Sequence, residues 1–146
     1  MTGYQEIMTD PSYCGQIITF TFPHIGNVGV NISDDEAVDP VAAGMVVKWD
    51  PTHASNWRAQ TELSDWLRAR GRIAIGGIDT RRLTRVIRQQ GAPHVAIAYH
   101  PDGKIDREAL IAKARGFNGL EGMDLAKEVT CRQTYHWNEQ RWIWKD

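Results

Sequence analysis

Apolar residues recur along the chain in two rhythms. Residues 61–70 place Leu63, Trp66 and Leu67 at the i, i+3, i+4 spacing of one helical face, and Gly71 follows as a stop. Residues 80–90 repeat that spacing with Leu83, Val86 and Ile87, with Asp79 at the N-cap position and Gly91 behind. Residues 107–115 do so again with Leu110, Ile111 and Ala114, between Asp106 and Gly116. Each stretch predicts a helix. Four other runs are short, apolar and rich in β-branched or aromatic residues: QIITFTF at 16–22, GMVVKW at 44–49, RIAIGGI at 72–78 and HVAIAY at 94–99. These predict strands.

From residue 61 onward the order is helix, strand, helix, strand, helix, the alternation of parallel strands joined by crossover helices. The front half reads as strands and loops without helices. Residues 23–29, PHIGNVG, form a tight loop with two glycines, and the acidic stretch 31–40 is expected to be an exposed connection. The chain is therefore expected to be α/β, with a parallel layer and an additional β part.

A chain of 146 residues is the size of one domain and buries enough surface for a core without disulfide staples. Its 17 basic and 18 acidic residues nearly cancel, which removes the electrostatic case for nucleic acid or an anionic membrane. No apolar run approaches the ~20 residues that span a bilayer, and no basic segment followed by an apolar one marks a secretory leader. Cys14 and Cys131 do not make a disulfide framework, and no CxxC or HxxxH pair offers a metal site. A reducing cytoplasm is the expected setting. Trp137, Trp142 and Trp144 crowd the last ten residues, so the tail is expected to pack against something.

The candidate chemistry is sparse. Cys14, in DPSYCG at 10–15, precedes a strand rather than a helix and has Ser12 where a nucleophile elbow needs glycine. An inert thiol is the stronger reading, and Cys131 in VTCRQ earns the same one. A hydrolase using Cys14 with His24 or His53 is the weakest rival. His24, His53, His94, His100 and His136 show no ligand spacing. The stretch GGIDTRRLTRVIRQQG at 76–91 opens a helix behind a glycine pair but lacks both phosphate-loop patterns. Its Arg81, Arg82, Arg85 and Arg88 span more than one face, as on a solvated or partner-facing surface.

Several blocks, taken together, carry a resemblance. TGYQEIMTDPSY at 2–13, PHIGNVG at 23–29, HASNWR at 53–58, GIDTRRLT at 77–84, RQQGA at 88–92 and GLEGMDLAKEVT at 119–130 stand in one order. In that order and spacing the chain resembles the small chain of glutamine-dependent carbamoyl-phosphate synthase, over most of its length. In that family the run at 88–92 is typically R-E-K-G-A-like.

The resemblance implies a three-layer β/β/α swivelling domain, with a parallel central sheet and a second antiparallel β layer. It implies an N-terminal domain over residues 1–132, with its first strands missing, and a tail over 133–146. The tail leads toward an absent class I glutamine amidotransferase domain whose Cys-His-Glu triad hydrolyses glutamine. The chain is expected to be a fragment, with Met1 an internal methionine, no catalytic residue of its own and no activity by itself. The resemblance further implies a ligase complex: ammonia passes to the large chain, which binds ATP and Mg and makes carbamoyl phosphate for arginine and pyrimidine synthesis. No cofactor or metal is expected in this domain. Its roles would be docking to the large chain and completing the glutamine pocket, the latter through Ser12. Along an extended segment, Ser12 and Cys14 would lie on one side. The alternative is a free-standing, non-catalytic binding module of the same fold.

Overall fold

The computed structural model describes residues 3–138. Its centre is β2 (Gly44–Val46), whose three residues are all buried. β2 pairs in parallel with β1 (Ile17–Thr19) on one side and β3 (Ile73–Ile75) on the other. The sheet order is β1-β2-β3. Parallel neighbours cannot be joined by a hairpin, and α2 (Leu63–Ala69) makes the crossover between β2 and β3. Antiparallel pairing among the described residues is one isolated bridge, Val30 with Thr61. That bridge explains why α2 starts two residues later than its apolar spacing predicts: Thr61 is held extended against Val30.

The helix predictions at 80–90 and 107–115 match α3 (Thr80–Gln90) and α4 (Arg107–Arg115). Asp79 Oδ1 accepts from the Arg82 N–H at 3.0 Å and Asp106 Oδ1 from the Ala109 N–H at 2.9 Å. Each carboxylate satisfies a first-turn donor that the helix itself cannot. A short α5 (Leu125–Val129) follows.

The front half does contain a helix, against expectation. α1 (Tyr4–Thr9) buries Tyr4, Gln5, Met8 and Thr9. Six residues are too few to hold a helix by propensity; packing holds this one. Tyr4 and Met8 belong to a core shared with Phe20, Ile25, Val30, Met45, Val47, Leu63, Trp66 and Leu67. The stretch 31–40 is also not simply exposed, since Asn31 and Pro40 at its ends are buried. The Gln5 side-chain amide donates to the Asn31 carbonyl and to Asp35 Oδ1, and its oxygen accepts from the Asn31 N–H at 3.1 Å. Arg58 Nη2 lies 2.6 Å from Asp34 Oδ1.

HVAIAY at 94–99 forms no strand. Val95 is 52% and Tyr99 76% exposed. A run of β-formers becomes a strand only where a ladder partner exists, and this run has none among the described residues. Among those residues the last buried side chain is Thr80. Among the described residues the core therefore lies at or before Thr80. Trp137 is exposed, while Trp142 and Trp144 lie outside the described residues.

Candidate functional site: the clasped loop at Ser12

Residues 10–15 link α1 to β1. Pro11–Tyr13 form a single 3₁₀ turn with Asp10 at its N-cap and proline at its first position. Proline suits that place because its missing N–H would have no partner there anyway. Asp10 Oδ1 accepts from the Ser12 N–H at 2.8 Å, and the Tyr13 N–H donates to the Asp10 carbonyl at 3.0 Å. Behind the turn, Gln16 Nε2 donates to the Ser12 carbonyl at 3.1 Å. The segment is thus curled, not extended, so the alternation expected to align Ser12 with Cys14 does not apply.

One residue closes the base of this loop. The Val41 N–H donates to the Met8 carbonyl at 3.1 Å, and the Val41 carbonyl accepts from the Gly15 N–H at 3.2 Å. Ser12 stands exposed at the crown, while Tyr13 packs against the core beneath. The loop also has a distant neighbour, for a Cβ placed on Gly15 would lie 3.8 Å from Leu120 Cδ2. GLEGMD and DPSYCG, far apart in sequence, meet here.

The charge at the crown is fixed. The Asp10 carboxyl is held below the usual carboxylate range by the Ser12 N–H and then by the Ser12 hydroxyl. It is ionised at neutral pH. The site therefore presents a hydroxyl, able to donate and accept, beside a carboxylate that organises it.

The other candidates do not assemble. Cys14 is half-buried, Cys131 is exposed, and both are free thiols. Among the described residues no histidine hydrogen-bonds to either. His53 is exposed, with Nδ1 3.6 Å from Glu62 Oε1, and His24 is exposed. His94 packs edge-on to Phe117, and His100 faces Asp102. His136 is exposed, as are Arg81, Arg82, Arg85 and Arg88 on α3. Among the described residues no group of three or more His, Cys, Asp or Glu side chains is placed to hold a metal ion. No helix among them is long and apolar enough to cross a membrane.

Three quoted blocks converge nearby. The Tyr4 hydroxyl donates to the Gly29 carbonyl at 2.6 Å, and the Ser55 N–H donates to the Asn27 carbonyl at 2.9 Å. A small cavity of about 60 Å³ has Tyr4, Gln5, Glu6, Gly29, Asp34 and Arg58 among its walls. The larger concavity, about 510 Å³, is an open groove beside α4 walled by Ala92, His94, Ile111, Ala114 and Arg115. It does not include Ser12.

Fold and loop together define an α/β domain that presents an exposed serine hydroxyl beside a carboxylate. Residues 1–97 match the family model of the carbamoyl-phosphate synthase small chain, CPSase domain, and the chain belongs to that family. It is 77% identical over its whole length to the carbamoyl phosphate synthase small chain of Ruegeria pomeroyi, covering 38% of that protein. It is 54% identical to the small chain from Rhizobium meliloti, covering 37% of it, and 51% identical to that from Caulobacter vibrioides, covering 39%. The chain thus spans less than two-fifths of these relatives.

Proposed function

We propose that the chain serves as the N-terminal domain of the small, glutamine-hydrolysing chain of a carbamoyl-phosphate synthase. In this reading the rest of the small chain is a class I amidotransferase carrying the Cys-His-Glu triad. The present domain completes its glutamine pocket and docks the assembly to the large chain. The large chain binds ATP and Mg and uses the released ammonia to make carbamoyl phosphate for arginine and pyrimidine synthesis in the cytoplasm. The swivelling β/β/α architecture, with its second β layer, goes with the same reading.

The observation that carries it is the family match, supported by the 77% identity that runs the full length of the chain. The geometry at Ser12 agrees with a contact role. The hydroxyl is exposed on a loop fixed at both feet, and the group beside it, the Asp10 carboxylate, is held below the usual carboxylate range and is a weak base. Such a group binds substrate and does not attack it.

The test is Ser12→Ala in a complete small chain carrying this segment, assembled with its large chain. Losing one hydrogen bond to a charged ligand should raise the apparent KM for glutamine roughly tenfold. Synthesis from free ammonia should not change. An unaltered KM for glutamine would remove the assignment. The chain by itself, lacking the triad, should release no ammonia from glutamine, with or without Cys14→Ser. Release that vanishes on Cys14→Ser would overturn the whole reading.

A further inference from the structure

Ser12 has both of its main-chain polar groups engaged. Its N–H donates to Asp10 Oδ1 at 2.8 Å, and its carbonyl accepts from Gln16 Nε2 at 3.1 Å. The hydroxyl, exposed beside the Asp10 carboxylate and able both to donate and to accept, is the group that can meet a ligand. Of the two restraints, the one from Asp10 comes from an ionised acceptor, and charge-assisted bonds are the shorter and stronger kind. The same residue also closes the turn through its own carbonyl, which accepts from the Tyr13 N–H at 3.0 Å. Asp10 therefore sets both the curl of the backbone and the height of Ser12 above it.

We propose that Asp10 is a positioning residue for glutamine: it holds Ser12 where its hydroxyl reaches the substrate, without touching the substrate itself. The inference rests on the substrate-contacting reading of Ser12. Removing the carboxylate leaves the turn its main-chain bonds and the one from Gln16, with nothing on the Ser12 N–H. The loop keeps its anchors at Val41, so the fold survives while the crown loosens. Asparagine keeps an oxygen in the accepting position and is among the best residues at an N-cap. It should replace aspartate here with little loss.

The experiment uses the complete small chain with its large chain and compares Asp10→Ala, Asp10→Asn, Ser12→Ala and the double Asp10→Ala/Ser12→Ala variant. Asp10→Ala should raise the apparent KM for glutamine roughly fivefold, the scale of a lost N-cap, and leave ammonia-dependent synthesis unchanged. Asp10→Asn should stay within about twofold of the parent. The double variant should be no worse than Ser12→Ala, because the two residues act through one hydroxyl. An unchanged KM in Asp10→Ala beside a raised KM in Ser12→Ala would overturn this inference and leave the role of Ser12 standing. An unchanged KM in Ser12→Ala would remove both. A parallel fall in ammonia-dependent synthesis, or a further loss in the double variant, would show Asp10 acting by another route and would also overturn it.

Discussion

The Tyr4 hydroxyl and the Gly29 carbonyl meet at 2.6 Å inside the core, joining positions 25 residues apart. Tyr4 is 2% exposed, so bulk solvent does not compete for the bond. Tyr4→Phe keeps the ring and strands the Gly29 carbonyl, and a buried unsatisfied acceptor costs about 1–3 kcal/mol. Urea denaturation of parent and variant should show a loss of that size with an unchanged slope. A difference near zero would mean that water reaches the carbonyl.

The same phenol gives the chain an alkaline limit. Burial, the largest influence, pushes the Tyr4 pKa from 10.0 up to about 12. The contribution of the neutral phenol is fully present below pH 10, where the unfolded chain also keeps its proton. Between pH 10 and about 12 the unfolded state gives up the proton and the folded state keeps it, so unfolding is favoured progressively. Denaturation midpoints followed from pH 9 upward should fall over about that interval in the parent. The fall should be smaller in Tyr4→Phe.

Gly29 is demanded twice over. Its φ of +72° lies where a side chain is strained, and a Cβ there would stand 2.5 Å from the Ala59 Cβ. Gly29→Ala should destabilise by roughly 2–4 kcal/mol, combining left-handed strain with overpacking. Adding Ala59→Gly should return part of the packing share, since the Ala54 Cβ at 3.0 Å stays in place, and leave the strain. A double variant no more stable than Gly29→Ala would show that the Ala59 methyl contributes none of the cost.

Protection against hydrogen exchange should divide near Thr80. The buried strand β2 and the helix α2 sit in the core, whereas the described residues beyond Thr80 include no buried side chain. Amides of α2 should therefore exchange only through large openings, and those of α4 through local ones. Equal protection in α2 and α4 would contradict this division.

The helices that carry their own signals were legible in the sequence. α3 shows a capping aspartate, an apolar stripe and a closing glycine within thirteen residues, Asp79 to Gly91. α1 shows none of these, because its two core anchors, Tyr4 and Met8, matter only once a core exists to receive them. HVAIAY has the composition of a strand, but composition does not supply the neighbour that a ladder needs. The turn at Ser12 was readable in principle: Asp10 followed by Pro11 is the cap-and-first-position pair of a helical turn. Ser12 itself was marked only by the family blocks, since one serine in a loop carries no pattern. The bond from Gln5 to Asn31 was beyond sequence reading, because nothing local links residues 26 apart.

Val41, which grips Met8 on one side of the loop and Gly15 on the other, has a consequence for affinity. A binding loop that fluctuates in the free protein must be ordered when its ligand arrives, and that lost freedom is subtracted from the binding energy. The loop bearing Ser12 has already given up its freedom during folding, to hydrogen bonds unrelated to any ligand. On the proposed reading, glutamine arriving at that hydroxyl would meet a surface of low residual entropy, so even a single contact could be expressed nearly in full.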